Sequence, residues 1–122
     1  MSSPVLRMRR ARLVPLAVAL LAAAMPANAL GESRTHVIVV DQMAFSPVTV
    51  NLTAGDTVEW VNKDIFVHSA TADDGSFDLD LPVNGRAELV VKHAGRIAYH
   101  CKYHPGMKGE LRVDASAGHE SR

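Results

Sequence analysis

Beyond residue 30, apolar and polar positions alternate in short runs separated by turn residues, which is the period of β-strands. Thr35 to Val40 and Val48 to Leu52 are β-branched runs. In the second, Val48, Val50 and Leu52 alternate with Thr49 and Asn51, which predicts that those three face a core. Ala54-Gly55-Asp56 marks a turn, Val58 and Trp60 alternate with Thr57 and Glu59, and Asn62-Lys63-Asp64 turns the chain again. Phe66 to Thr71, Ala87 to Val91, Arg96 to Cys101 and Gly109 to Val113 supply further strands, with loops at Asp73-Asp74-Gly75-Ser76 and His93-Ala94-Gly95. Ile97, Tyr99 and Cys101 share one face, and Leu111 and Val113 point inward. No segment past the first thirty residues keeps a helical period over the length a helix needs. The pattern predicts an all-β fold, a Greek-key β-sandwich of seven to eight strands.

The N-terminus reads differently. Arg7, Arg9, Arg10 and Arg12 precede an apolar run from Leu13 to Met25, and Ala27-Asn28-Ala29 has the small-residue spacing of a signal-peptidase site. A membrane anchor fits less well, because the run is short, with Pro15 inside it and Pro26 at its end. The expected organisation is a signal peptide over 1–29, one β domain over 30–114 and a small, polar, flexible tail, "ASAGHESR", over 115–122. Arg9-Arg10 leaves twin-arginine export open beside the Sec route. The mature protein is expected in the periplasm, without membrane insertion.

Loss of the four leader arginines from the 122-residue chain leaves nine Lys/Arg against 13 Asp/Glu, a net charge of −4. A mildly acidic domain without a basic patch argues against a nucleic-acid partner. No Ser/His/Asp set, paired carboxylates or phosphate loop is present, so nothing points to an enzyme. Asp73, Asp74, Asp78 and Asp80 read as a solvated face, with an acidic docking patch as the alternative. Exported domains of this size often carry disulfides, yet the chain has a single cysteine, Cys101. A lone cysteine in such a protein is an intermolecular link, a reactive thiol or a ligand.

Its neighbours favour the ligand. In "YHCKYHPGMKG", Cys101, His104 and Met107 stand three residues apart, and Pro105 and Gly106 rule out a helix. The three side chains therefore converge by folding of a loop. Soft thiolate and thioether sulfurs select copper, and imidazole serves both of its oxidation states. A second imidazole would complete a His2Cys site with an axial Met; His68, in an apolar stretch just after a turn, is the best candidate. Met107 as a core filler and His100 as part of a zinc set with Cys101, His104 and His68 are the competing readings. Strand alternation directs His100 away from the Cys101 face.

The stretches "MAFSPVTVNLTAGDTVEWVNKDIFVHSAT" and "RIAYHCKYHPGMKGELRV" resemble the cupredoxins, the type 1 blue copper proteins, from Met43 to Val113. Two residues between Cys101 and His104, and two between His104 and Met107, make the ligand loop amicyanin-like; plastocyanin, pseudoazurin and azurin have longer loops. Gly55-Asp56, Trp60 and Asn62-x-Asp64 match the family's framework. The resemblance implies one copper ion cycling between Cu(I) and Cu(II), held by His68, Cys101, His104 and Met107. It also implies a monomeric carrier of single electrons with transient redox partners, among them a quinoprotein amine dehydrogenase and a c-type cytochrome. Buffering or delivery of copper, without electron transport, is the alternative role. The chain departs from the family at Val67, often Pro, at Ser69, often Asn, and at Lys102, often Thr or Ser. The last two positions are where the family ties its ligand loops together and donates to the thiolate.

Overall fold

In the computed structural model, which describes residues 32–116 and Pro4, nine strands form two sheets: β1 (Thr35–Asp41), β2 (Ala44–Ser46), β3 (Thr49–Thr53), β4 (Thr57–Asn62), β5 (His68–Ala72), β6 (Asp78–Leu81), β7 (Arg86–Val90), β8 (Gly95–His100) and β9 (Lys108–Asp114). One sheet has the order β2-β1-β4-β7 and the other β3-β9-β8-β5-β6. The β1–β4 and β3–β9 pairs are parallel and join strands distant in sequence, so the chain passes repeatedly from sheet to sheet. The expected all-β sandwich is what forms. Apart from Pro4, the expected signal peptide lies outside the described residues, as does most of the expected tail.

Two of the nine strands, β2 and β6, are not among the seven runs that alternation marks. β2 has only three residues and β6 is the acidic Asp78-Leu79-Asp80-Leu81, too short or too charged to stand out as a buried run. Two local expectations are also corrected. Val48 is 58% exposed, because β3 begins only at Thr49, whereas Val50 and Leu52 are buried as the alternation requires. β5 begins at His68, so Phe66 and Val67 belong to the loop before it and are half-exposed.

Inward positions of both sheets meet in one apolar core, with Ile38, Val40, Phe45, Val58, Trp60, Leu81, Tyr99 and Leu111 almost wholly shielded. Tyr99 sits at its centre, edge-on to Phe45 at 4.8 Å and to Trp60 at 5.5 Å between ring centroids. Close approach to the Tyr99 ring also explains Gly109 on β9, where any Cβ would overlap the ring. Burial pushes the Tyr99 hydroxyl up to about 12; the Trp60 N–H opposes that rise yet stops short of a hydrogen bond.

Asp56 ties the turn before β4. Its carboxylate accepts the amides of Arg34 (2.9 Å) and Thr53 (3.0 Å) and lies 2.9 Å from His36 Nε2. Burial pushes this carboxyl up, but the two amides and His36 together hold it below its ordinary value of 3.8. A folded value below the unfolded one gives stability that is complete above about pH 4 and lost as pH falls through the folded value. Urea midpoints of the wild type are therefore expected to drop on acidification below about pH 4, and Asp56→Asn is expected to flatten that drop while lowering stability at neutral pH. Equal acid dependence in both proteins would contradict this assignment.

Candidate metal centre

Three donor side chains converge at one end of the sandwich. β5 pairs with β8 at only two positions, Thr71 with His100 and Ala72 with Tyr99. Beyond them the strands part. Into that gap β5 brings His68 and the end of β8 delivers Cys101, both fully buried.

The loop entering His68 is set by side chains that replace strand hydrogen bonds. Buried Asn62 accepts the Asp64 amide at 2.9 Å and donates through Nδ2 to the carbonyls of Phe66 (2.8 Å) and Leu81 (3.0 Å). Asp64 accepts the amides of Ile65 (2.8 Å) and Met43 (3.0 Å), and its other contact is His68 Nε2 at 2.9 Å. The His68 contact, helped by the Met43 amide, holds the Asp64 carboxyl below its usual range. Met43 and its neighbour Gln42 reach this position through a turn with φ of 60° and 49°, an uncommon conformation for non-glycine residues. An ionised Asp64 only accepts, so His68 Nε2 carries the proton and Nδ1 presents its lone pair to the gap.

The Cys101–Met107 loop folds as two consecutive turns. The His104 amide donates to the Cys101 carbonyl at 3.3 Å, and the Met107 amide donates to the His104 carbonyl at 2.9 Å. Pro105 occupies the second position of the second turn, where its fixed φ is suited. The Cys101 amide donates to the Met107 carbonyl at 3.1 Å and closes the loop at its base. Spacing by threes is thus the period of successive β-turns, and it returns each donor residue to the same side.

Cys101 Sγ lies 3.7 Å from His68 Nδ1 and 3.7 Å from His104 Nδ1, and the three donor atoms fall within 4.8 Å of one another. Met107 is 4% exposed and belongs, like Cys101, to the apolar core of the sandwich. His104 is partly exposed, and the Phe66 ring stands edge-on to it at 6.1 Å. The Ser69 amide points at Cys101 Sγ from 3.4 Å. One cysteine sulfur, two imidazoles that turn Nδ1 toward it and a thioether are a soft, borderline donor set that fits copper. His100 stays out of it: its Nδ1 bonds Asp73 at 2.6 Å, away from the sulfur. Of the expected acidic face, Asp73 is held by His100, Asp74 caps Ser76, and Asp78 and Asp80 bind Lys102.

Comparison with known proteins agrees with this geometry. The sequence profile of the cupredoxin-like domain matches residues 13–113. The chain belongs to the cupredoxin family. It is 31% identical over 94 residues to the amicyanin of Paracoccus denitrificans, covering 70% of this chain and 72% of that protein. The solved amicyanin of Paracoccus versutus superposes with a TM-score of 0.59 at 26% identity, over 75% of this chain and 87% of the other. A purple cupredoxin from Nitrosopumilus maritimus shares the fold, with a TM-score of 0.58 at 23% identity over 68% of this chain and all of that one. This cupredoxin is amicyanin-like and belongs to the blue-copper electron-transfer proteins, which carry electrons and are not enzymes.

Proposed function

We propose that His68, Cys101, His104 and Met107 hold one copper ion, and that the protein carries single electrons between redox partners in the periplasm. The observation that carries this reading is the convergence of His68 Nδ1, His104 Nδ1 and Cys101 Sγ within 4.8 Å of one another. Copper, when bound, supplies a one-electron Cu(I)/Cu(II) couple. The protein's part is to keep the donors where they are: Asp64 fixes the His68 ring, two turns fix the loop, and the surrounding core excludes water from Cys101 and Met107.

His104 is the donor nearest solvent and the natural port for the electron. Around it Ile65 is 79% exposed, with Phe66, Val67 and Tyr103 about half-exposed. Such an apolar rim suits brief docking over a small interface. By likeness to amicyanin, the partner classes are a quinoprotein amine dehydrogenase as donor and a c-type cytochrome as acceptor. The role is tested by comparing electron self-exchange with copper release to a chelator. Fast exchange with retained copper supports a carrier; slow exchange with rapid release would make the protein a copper buffer.

Met107→Gln is expected to keep copper and lower the reduction potential, because an amide oxygen is a harder ligand than a thioether and favours Cu(II). Voltammetry showing an unchanged or raised potential would remove Met107 from the donor set. The Ala27-Asn28-Ala29 site supports a mature chain that begins at Leu30, leaving the β domain and its polar tail. Intact mass of periplasmic protein checks this, and retention of Arg7 to Arg12 would contradict it.

A further inference from the structure

Ser69, Thr71, Asp78 and Lys102 form a closed ring of hydrogen bonds beside the cysteine. The Lys102 amide donates to Ser69 Oγ at 2.9 Å, Ser69 Oγ lies 2.8 Å from Thr71 Oγ1, and Thr71 Oγ1 donates to Asp78 Oδ1 at 2.8 Å. Lys102 Nζ closes the circuit, 3.2 Å from each Asp78 oxygen, with a further contact to Asp80 at 3.0 Å. Direction along the ring is determined. A carboxylate only accepts, so the single Thr71 proton goes to Asp78; the Ser69 proton must then go to Thr71, which leaves Ser69 oxygen to accept from Lys102. Every hydroxyl both donates and accepts in one sense, the arrangement in which successive bonds strengthen one another.

The ring joins β5, β6 and the first residue after Cys101. Its Ser69 member also offers its own amide to Cys101 Sγ at 3.4 Å. β5 has no β8 pairing in its register at Ser69, so side chains take over the task of holding that amide against the sulfur.

We propose that Thr71 and Asp78 are positioning residues for the redox centre: through Ser69 and Lys102 they hold the Ser69 amide on the Cys101 sulfur and thereby help to set its electron-donating strength. This rests on the copper reading above. An N–H directed at the thiolate withdraws electron density from sulfur, which favours the reduced metal, and hydrogen bonding around the cysteine is a recognised lever on the potential. Neither residue touches a donor atom of the proposed site in the structure.

Thr71→Val tests this without changing charge or shape. In the copper-free protein the Lys102 amide is expected to exchange with solvent about tenfold faster, because Ser69 Oγ, its acceptor, loses the Thr71 hydroxyl that orients it. In the copper-loaded protein the midpoint potential is expected to fall and the visible thiolate band to move, and Thr71→Ser is expected to restore all three. An unchanged Lys102 amide, or an unchanged potential and band, would overturn the proposal, even if melting temperature falls. A wild type that stays colourless with Cu(II) would instead sink the copper reading; the Lys102 amide would still decide whether the ring holds.

Discussion

Cys101→Ser is expected to abolish the visible colour of the Cu(II) protein and to weaken copper binding severely, while leaving the sandwich folded. The colour of such a centre comes from charge transfer out of a metal-bound thiolate, and a serine hydroxyl at neutral pH is neither ionised nor soft. Cys101 is the one cysteine of the chain, so no other thiol can substitute. Serine is close to cysteine in size, and the contacts that fold the loop are made by main-chain groups: the Cys101 amide to the Met107 carbonyl, and the Cys101 carbonyl to the His104 amide. The change therefore separates chemistry from architecture. Absorption of the Cu(II)-loaded variant beside its far-ultraviolet circular dichroism makes the comparison. A blue serine variant would show that the thiolate is not the source of the band.

The largest expected loss of stability from a polar residue comes from Asn62→Ala. Asn62 is 1% exposed and serves four main-chain groups: the Asp64 amide and the carbonyls of Phe66, Leu81 and, at a longer 3.3 Å, Pro82. Truncation removes the side-chain partner of all four at once. Buried polar groups left unpaired cost about 1–3 kcal/mol each, but the Phe66 end of the loop can recruit water, so a net loss of roughly 3 kcal/mol is expected. That is a large share of the about 5–15 kcal/mol by which a domain is stable. The loop it frees also carries Asp64, so the His68 ring loses part of its restraint. Urea unfolding of the copper-free protein measures the first effect, and a cost below about 1 kcal/mol would show that Asn62 is not the organiser of this loop.

The parts of the fold that alternation reveals are those with one wet face and one dry face. β4 reads cleanly because Val58 and Trp60 alternate with Thr57 and Glu59, and the same holds for Leu111 and Val113 on β9. Edge elements escape this logic. β6 is half acid, and β2 is a three-residue return from a turn whose positive φ angles fall on Gln42 and Met43, where no glycine announces them. Val48 was misleading for a related reason, since its alternation continues past the point where pairing begins.

At the proposed site, the convergence of His68, Cys101 and His104 was legible from chemistry and spacing, and the same spacing supports Met107 as the fourth proposed ligand, because few other chemistries ask for a cysteine, two imidazoles and a thioether together. What spacing could not convey is how the donors are held. Asp64 reaching His68 four residues on, Met43 donating to Asp64 from a different hairpin, and the Ser69–Thr71–Asp78–Lys102 ring all depend on which strands become neighbours. Ser69 and Lys102 stand where the family often has Asn and Thr or Ser. In the folded chain Ser69 still ties the two ligand segments, through Lys102's amide, and still aims its own amide at the sulfur. The substituted residues thus perform the tie by a different route.

The most direct test is the visible and EPR spectrum of the full protein loaded with one equivalent of Cu(II). A buried thiolate with two imidazole nitrogens and a thioether predicts an intense visible charge-transfer band and a copper hyperfine splitting narrowed by delocalisation of the unpaired electron onto Cys101 sulfur. A colourless or pale protein, with the wide hyperfine splitting of ordinary Cu(II) bound by nitrogen and oxygen alone, would contradict the assignment of His68, Cys101, His104 and Met107 as the ligands of a type 1 copper centre.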